Sequence, residues 1–104
     1  MTFSDSGEIV VTQNDSETVI RVRGRFNVQQ LFEVNNIRPS DQPNHSYIID
    51  LTETEFLDSS GMGIILRLRE QVSGTKENMV IRNARPGIRR LLETVQFDKL
   101  FTVL

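Results

Sequence analysis

The sequence predicts an α/β domain, because strand-like and helix-like segments alternate along a chain of 104 residues. Residues 47–51 are almost continuously apolar, as in a central strand that is buried on both faces. Residues 64–72 and 88–95 instead repeat their apolar side chains at helical spacing. A chain of this length can build one hydrophobic core but not two, so we expect a single domain over residues 1–104.

Two strands open the predicted sheet. Residues 8–12 and 18–23 are rich in β-branched residues and are joined by the turn-forming segment 13–17, which predicts an antiparallel hairpin. In the second strand Ile20 and Val22 share one face and arginines occupy the other. Only one face of this strand therefore needs a core.

A first helix is predicted between Asn27, a suitable N-cap, and Pro39, with Val28, Leu31 and Phe32 at helical spacing. A second helix ends at residues 73–74, a further strand covers 78–82, Pro86 opens a third helix at its first position, and residues 100–104 form the last strand. The predicted buried positions of these later helices are Ile64, Ile65, Leu68 and Val72, and Ile88, Leu91, Leu92 and Val95. The order β-β-α-β-α-β-α-β predicts a mixed sheet of about five strands, with parallel later strands and helices mainly on one face.

Composition excludes several classes of function. With 12 Lys and Arg against 14 Asp and Glu, the net charge of −2 provides no broad cationic field for nucleic acid. The chain has no Cys and one His, so we expect no thiol chemistry, no zinc centre and no cofactor. His45 lies in a loop-like cluster where we expect a solvated side chain without a catalytic role. The first residues resemble no signal peptide and no apolar run reaches the roughly 20 residues of a membrane span, so a cytoplasmic protein is expected.

The corner between a strand and the second helix carries the most information. Asp58, Ser59 and Ser60 can each cap free backbone N–H groups at a helix start. Capping does not explain Gly61 and Gly63, each of which costs about 1 kcal/mol relative to Ala inside a helix. Gly61 lies on the buried stripe, where tight packing against the sheet would require it. Gly63 points elsewhere, and the close approach of another molecule would account for it.

Three further features of the sequence each allow two interpretations. Met62 and Leu66 lie off the core stripe, where they either contact a partner or meet the neighbouring helix. The ten arginines form either an ion-paired surface or contacts to an acidic partner. Asp50, at a strand end, is placed like the phospho-accepting aspartate of a response-regulator receiver domain. Such a domain also needs an acidic pair after its first strand, whereas here the early strand runs into Arg23 and Arg25, so this reading is weak. We expect Asp50 to bond a nearby turn.

Residues 57–66 resemble the Asp-Ser-Ser/Thr-Gly-apolar-Gly signature of the STAS domain, in its small bacterial form, the anti-sigma factor antagonist. Segments 24–27, 47–51 and 84–93 support the resemblance, which spans residues 8–103. The chain departs from the family at Asn27, where relatives often carry an aspartate, and so has one negative charge fewer there.

This resemblance implies a partner-switching phosphoprotein of signal transduction and transcription regulation, not an enzyme. The unphosphorylated form would bind an ATP-binding serine kinase that is also an anti-sigma factor, phosphorylation of Ser59 would end that binding, and a PP2C-type phosphatase would reset it. The implied environment of the phosphorylation site is Asp58, Ser60, Gly61 and Asn27, and the implied partner contacts are Met62, Gly63, Leu66 and Arg25. The acceptor could instead be Ser60. The alternative function is a non-phosphorylated STAS interaction module in a larger bacterial signalling complex, and we expect a monomer or weak dimer.

Overall fold

The computed structural model describes residues 7–104, and its regular elements follow the predicted alternation of strands and helices. Six strands lie in this range: β1 (Glu8–Gln13), β2 (Glu17–Phe26), β3 (Ser46–Asp50), β4 (Thr54–Leu57), β5 (Met79–Arg82) and β6 (Thr102–Val103). Three α-helices accompany them: α1 (Leu31–Asn35), α2 (Ser59–Gln71) and α3 (Pro86–Thr94). Two 3-10 turns, Val28–Gln30 and Phe97–Lys99, precede α1 and β6. None of the helices in residues 7–104 is long and apolar enough to cross a membrane.

The predicted mixed sheet is confirmed, with strand order β1-β2-β3-β5-β6. Strands β1 and β2 form the expected antiparallel hairpin, and the remaining pairs are parallel. The sheet has six strands rather than about five, because β4 pairs with the far end of β2, from Gly24↔Thr54 to Phe26↔Leu57. The register shifts between Gly24 and Arg25, where Glu55 of β4 is left without a partner on β2. Strand β4 leads directly into α2.

The core lies on one face of the sheet. Side chains of β2, β3 and β5 on that face join residues of all three helices in one buried cluster. The opposite face carries Val19, Ile48 and Val80 side by side, and none of them belongs to the cluster. The expectation that the helices cover mainly one face of the sheet is therefore correct.

Several local predictions change in the structure. Val95, predicted to be buried, is 42% exposed because it lies at the C-cap of α3, while Ile88 and Leu92 are buried as expected. Val28 and Phe32 are exposed and Leu31 is only partly buried, whereas Val34 and Ile37 are the buried apolar side chains of this region. The last strand is only two residues long, because the backbone N–H groups of Leu100 and Phe101 bond to the Phe97 carbonyl of the preceding 3-10 turn rather than to a neighbouring strand.

His45 is buried, contrary to the expectation of a solvated loop residue. Its Nδ1 lies 3.1 Å from the Asp15 carbonyl oxygen, which can only accept, so Nδ1 carries the proton. Its Nε2 then accepts from the Thr18 hydroxyl at 2.8 Å. The imidazole thus connects the start of β3 to the β1–β2 turn and to the start of β2. Neither the loop-like residues around His45 nor the polarity of its side chain predicts this burial.

Asp50 bonds a nearby turn as expected, and it also anchors an ion cluster on the outer face of the sheet. One carboxylate oxygen accepts from Thr52, and the other lies 3.3 Å from Arg21 Nη2 and 3.4 Å from Arg82 Nε. Burial, which leaves Asp50 2% exposed, raises its pKa. The hydrogen bonds from Thr52 and the charges of Arg82 and Arg21 outweigh burial and lower the pKa to about 2, from an ordinary 3.8.

Replacement of this carboxylate tests its contribution. We expect Asp50→Asn to lower the free energy of unfolding by about 1–3 kcal/mol at neutral pH, because two guanidinium groups lose their anionic partner. A carboxyl whose pKa is depressed by folding stabilises the protein above its unfolded-state pKa and loses that contribution as pH falls through its folded-state pKa. The difference between wild type and variant should therefore shrink from about pH 4 to about pH 2.

Urea unfolding at a series of pH values measures this difference, and Asp41→Asn in an exposed loop is the control. A stability difference that stays constant down to pH 2 would contradict the assignment.

Candidate functional site

The corner at the start of α2 is built as a helix cap. Asp58 has an extended backbone conformation, and its Oδ1 accepts from the backbone N–H of Gly61 at 2.9 Å. The Ser60 hydroxyl donates to the same oxygen at 2.6 Å. These bonds, that from Ser60 foremost, lower the pKa of Asp58, so its carboxylate is ionised at neutral pH. Asp58 is therefore the N-cap, and Ser60 is bound to it.

Ser59 differs from Ser60. Its side chain is exposed, and its hydroxyl makes no hydrogen bond to any other side chain or backbone group among residues 7–104. At 100° per residue, Ser59, Gly63 and Leu66 fall on the same side of α2, and all three are exposed. The solvent-facing side of the helix thus begins with a free hydroxyl.

The two glycines of the corner have different surroundings. A Cβ at Gly61 would lie 2.3 Å from the Phe26 carbonyl oxygen and 2.7 Å from Leu57 Cδ1. A Cβ at Gly63 would have no heavy atom within 4 Å. Tight packing against the sheet, the expectation for Gly61, is confirmed. Nothing within residues 7–104 explains why position 63 has no side chain.

Met62 and Leu66, which sequence reasoning treated as a pair, are separated in the structure. Met62 is half-buried and packs against the core, whereas Leu66 is exposed. Residues around α2 add exposed apolar side chains that sequence reasoning did not assign to a surface, namely Val28, Phe32 and Phe56. Phe32 is 72% exposed on α1, which lies beside α2 through the bond from Arg67 Nε to Asn35 Oδ1.

Arg25 lies on the other side of the corner. Its guanidinium stacks 4.6 Å from the centre of the Phe56 ring, a cation–π contact. The two side chains line an open cavity of about 220 Å³ with Asn27 and Asp58. Arg25, Asn27 and Asp58 are thus brought together, although they are 33 residues apart at the extremes of the sequence. Phe56 could have been suspected from its place directly before the signature.

Asn27 does not lie free beside Ser59. Its Oδ1 accepts from the backbone N–H of Gln29 at 2.9 Å, and its own N–H donates to Gln30 Oε1 at 2.7 Å. This reciprocal capping box confirms Asn27 as an N-cap, but of the 3-10 turn before α1 rather than of a long helix. An aspartate would make the same cap, so the amide changes the charge of the corner without changing its structure.

The family model of the STAS domain matches residues 8–104. The chain belongs to the STAS domain family. This STAS domain is 32% identical over 89 residues to the STAS-domain containing protein PA14_20770 of Pseudomonas aeruginosa (strain UCBPP-PA14), a match that covers 84% of this chain and 87% of that protein.

Solved structures of the same fold are similar along almost the whole chain. An anti-sigma factor antagonist from Mycobacterium paratuberculosis matches with a TM-score of 0.78 and 23% identity, over 99% of this chain and 89% of that one. The anti-sigma factor antagonist SpoIIAA in its unphosphorylated form matches with a TM-score of 0.66 and 17% identity, over 93% and 88% of the two chains. The fold of this STAS domain is therefore that of anti-sigma factor antagonists.

Substitution of the two glycines by alanine separates their roles. We expect Gly61→Ala to destabilise the domain by about 1–3 kcal/mol, because the new methyl group overlaps backbone that must move. We expect Gly63→Ala to leave stability unchanged or to raise it by up to about 1 kcal/mol, since alanine favours the helix. Chemical denaturation of the two variants measures both effects. Equal destabilisation would contradict the packing assigned to these positions.

Proposed function

We propose that this STAS domain is an anti-sigma factor antagonist that is switched by phosphorylation of Ser59. The unphosphorylated domain binds an ATP-binding serine kinase that is also an anti-sigma factor, and the sigma factor is thereby freed. The phosphorylated domain releases the kinase. A PP2C-type phosphatase resets the switch in the cytoplasm. The domain is the substrate and ligand of these proteins and carries out no catalysis itself.

The free hydroxyl of Ser59 is the observation that carries the proposal. A kinase must bring the acceptor oxygen into line with the γ-phosphate of its ATP, which requires an exposed side chain. Ser59 meets this requirement, whereas the Ser60 hydroxyl is bound to Asp58 at 2.6 Å. Phosphorylation at Ser60 would break that bond and bring a dianion against the capping carboxylate. Ser59 is therefore the better acceptor.

A phosphate on Ser59 changes a surface rather than a core. Phosphoserine carries a charge of about −1.5 to −2 at neutral pH, and a helix N-terminus stabilises such a charge by about 0.3–1 kcal/mol. The ionised Asp58 beside it opposes this gain. The net effect on folding is small, so the switch acts on the complex, where the dianion is brought against a surface that had docked a partner.

The docking surface in this proposal is the solvent-facing side of α2 together with the cavity beside it. Gly63 lets a partner approach the helix backbone, and Leu66 supplies apolar contact. Met62 contributes only its exposed part, because it also packs on the core. Arg25, exposed and stacked on Phe56, offers a guanidinium to an acidic group of the partner.

Phosphorylation can be tested directly. With magnesium, ATP and a cognate serine kinase, intact mass spectrometry should find one added phosphoryl group on the wild-type domain. We expect none on Ser59→Ala and the full addition on Ser60→Ala, the matched control. A phosphoryl group that persists in Ser59→Ala and disappears in Ser60→Ala would move the acceptor by one residue. A kinase that binds the domain without modifying it would favour the non-phosphorylated interaction module.

A phosphate mimic tests where the switch acts. We expect Ser59→Asp to weaken kinase binding at least about tenfold, a loss of about 1.4 kcal/mol, because it brings charge into a docked surface. Its melting temperature should stay close to that of the wild type, since the Ser59 side chain is exposed and bonds no other group among residues 7–104. Calorimetric titration and thermal unfolding measure the two effects. Wild-type affinity, or a large loss of stability, would contradict this mechanism.

A further inference from the structure

Strand β1 has an unusual edge. It pairs with β2 without interruption from Glu8↔Arg23 to Gln13↔Thr18, and no other strand of residues 7–104 pairs with it. The backbone N–H and C=O groups that β1 directs away from β2 therefore have no partner strand among residues 7–104. An edge of this kind is a template for another strand.

Each face of β1 also exposes an apolar side chain. Val10 is 58% exposed on the outer face of the sheet, and its neighbour Val11 is 40% exposed on the inner face. The helical layer does not cover Val11, and Val10 lies on the face without helices. A strand added at this edge would contact both side chains at once, which no helix packed on a single face could do.

Natural edge strands usually carry devices that prevent such pairing. Proline, lysine, a bulge or a very short strand each serves this purpose. Residues 8–13 contain no proline, glycine or lysine, and the pairing of β1 with β2 has no bulge. By contrast, β6 at the other edge of the sheet has only two residues. The two edges of the sheet are thus not equivalent.

We propose that β1 pairs antiparallel with β1 of a second copy of this chain, so that the two sheets become one. A twofold axis perpendicular to the sheet places the outer faces of the two copies on the same side of the combined sheet. It therefore allows only registers in which each residue lies opposite a residue of the same face in the other copy. Centring the axis on Val10 places Val10 opposite its own copy, Ile9 opposite Val11, and Glu8 opposite Thr12. Centring it on Val11 instead places Ile9 opposite Gln13.

The register centred on Val10 therefore matches apolar residues with apolar residues. Charge also permits it, because Glu8 is the only ionisable residue of β1. The two copies of Glu8 are about 14 Å apart, given a rise of about 3.4 Å per residue, which exceeds the screening length of about 8 Å at physiological ionic strength. An acidic chain with a net charge of −2 thus brings an almost neutral edge to the contact.

The length of the strand sets the strength of the dimer. A pairing along six residues buries less surface than a standard protein interface, so the association is reversible and depends on concentration. The contact uses neither α2 nor the cavity beside Arg25, so it stands or falls independently of phosphorylation at Ser59.

Sedimentation equilibrium of the full chain over a wide concentration range tests the proposal. The wild type should shift from 11.9 kDa toward twice that mass. Val10→Glu should raise the dimer dissociation constant at least about tenfold, because two carboxylates then lie opposite each other. The same residue faces Arg21 within its own chain, so the monomer should keep its wild-type melting temperature. Val95→Glu, at the exposed valine that forms the C-cap of α3, should dimerise like the wild type.

Hydrogen exchange gives a second measurement that needs no variant. Backbone amides of β1 should exchange more slowly as the wild-type concentration rises, while those of β6 stay unchanged. A chain that remains monomeric at all concentrations would overturn the proposal. A dimer that Val10→Glu leaves intact, or that Val95→Glu weakens equally, would overturn the assignment to β1.

Discussion

The contact between Gly61 and the end of β2 is the constraint on which the candidate site depends. The first turn of α2 lies so close to the Phe26 carbonyl that a methyl group would not fit. With this side of the turn held against the sheet, the helix has one possible rotation about its axis. That rotation buries Ile64, Ile65 and Leu68 and turns Ser59 outward. A small residue inside the protein thus decides which hydroxyl lies on its surface.

The same rotation separates two serines that are neighbours in sequence. Ser60 lies where its hydroxyl reaches the Asp58 carboxylate, and there it reinforces the cap of the helix. Ser59 lies one residue earlier, a step of about 100° around the helix, and its hydroxyl bonds no other group among residues 7–104. In the proposed switch, capping of the helix and phosphorylation thus involve different hydroxyl groups. A phosphate on Ser59 would not have to disturb the cap.

The one-sided arrangement of helices leaves charge and apolar surface in separate places. On the outer face Asp50 holds Arg21 and Arg82 at the centre of the sheet, so that this uncovered face carries an ion cluster. At the margin, β1 has valines exposed on both faces and a free edge. The end of the sheet at β4 instead presents the cavity beside Arg25. A domain of 104 residues thereby has two separate exposed surfaces, which we propose serve a partner and a second copy of the chain.

The sequence by itself determined the hairpin, a central strand predicted at 47–51 and found at 46–50, the helix that begins at Pro86, and a cap among residues 58–60, because each depends on neighbours within a few residues. The structure then chose Asp58 as the capping residue. It also singled out Gly61 and Gly63, since glycine in a helix is costly wherever it occurs. Only the tertiary structure decided that β4 pairs with β2, that His45 is buried against Thr18, and that Arg25 reaches Phe56. These contacts join residues that are 27 to 31 positions apart, so their energies depend on how the chain is packed and leave no periodic pattern in the sequence.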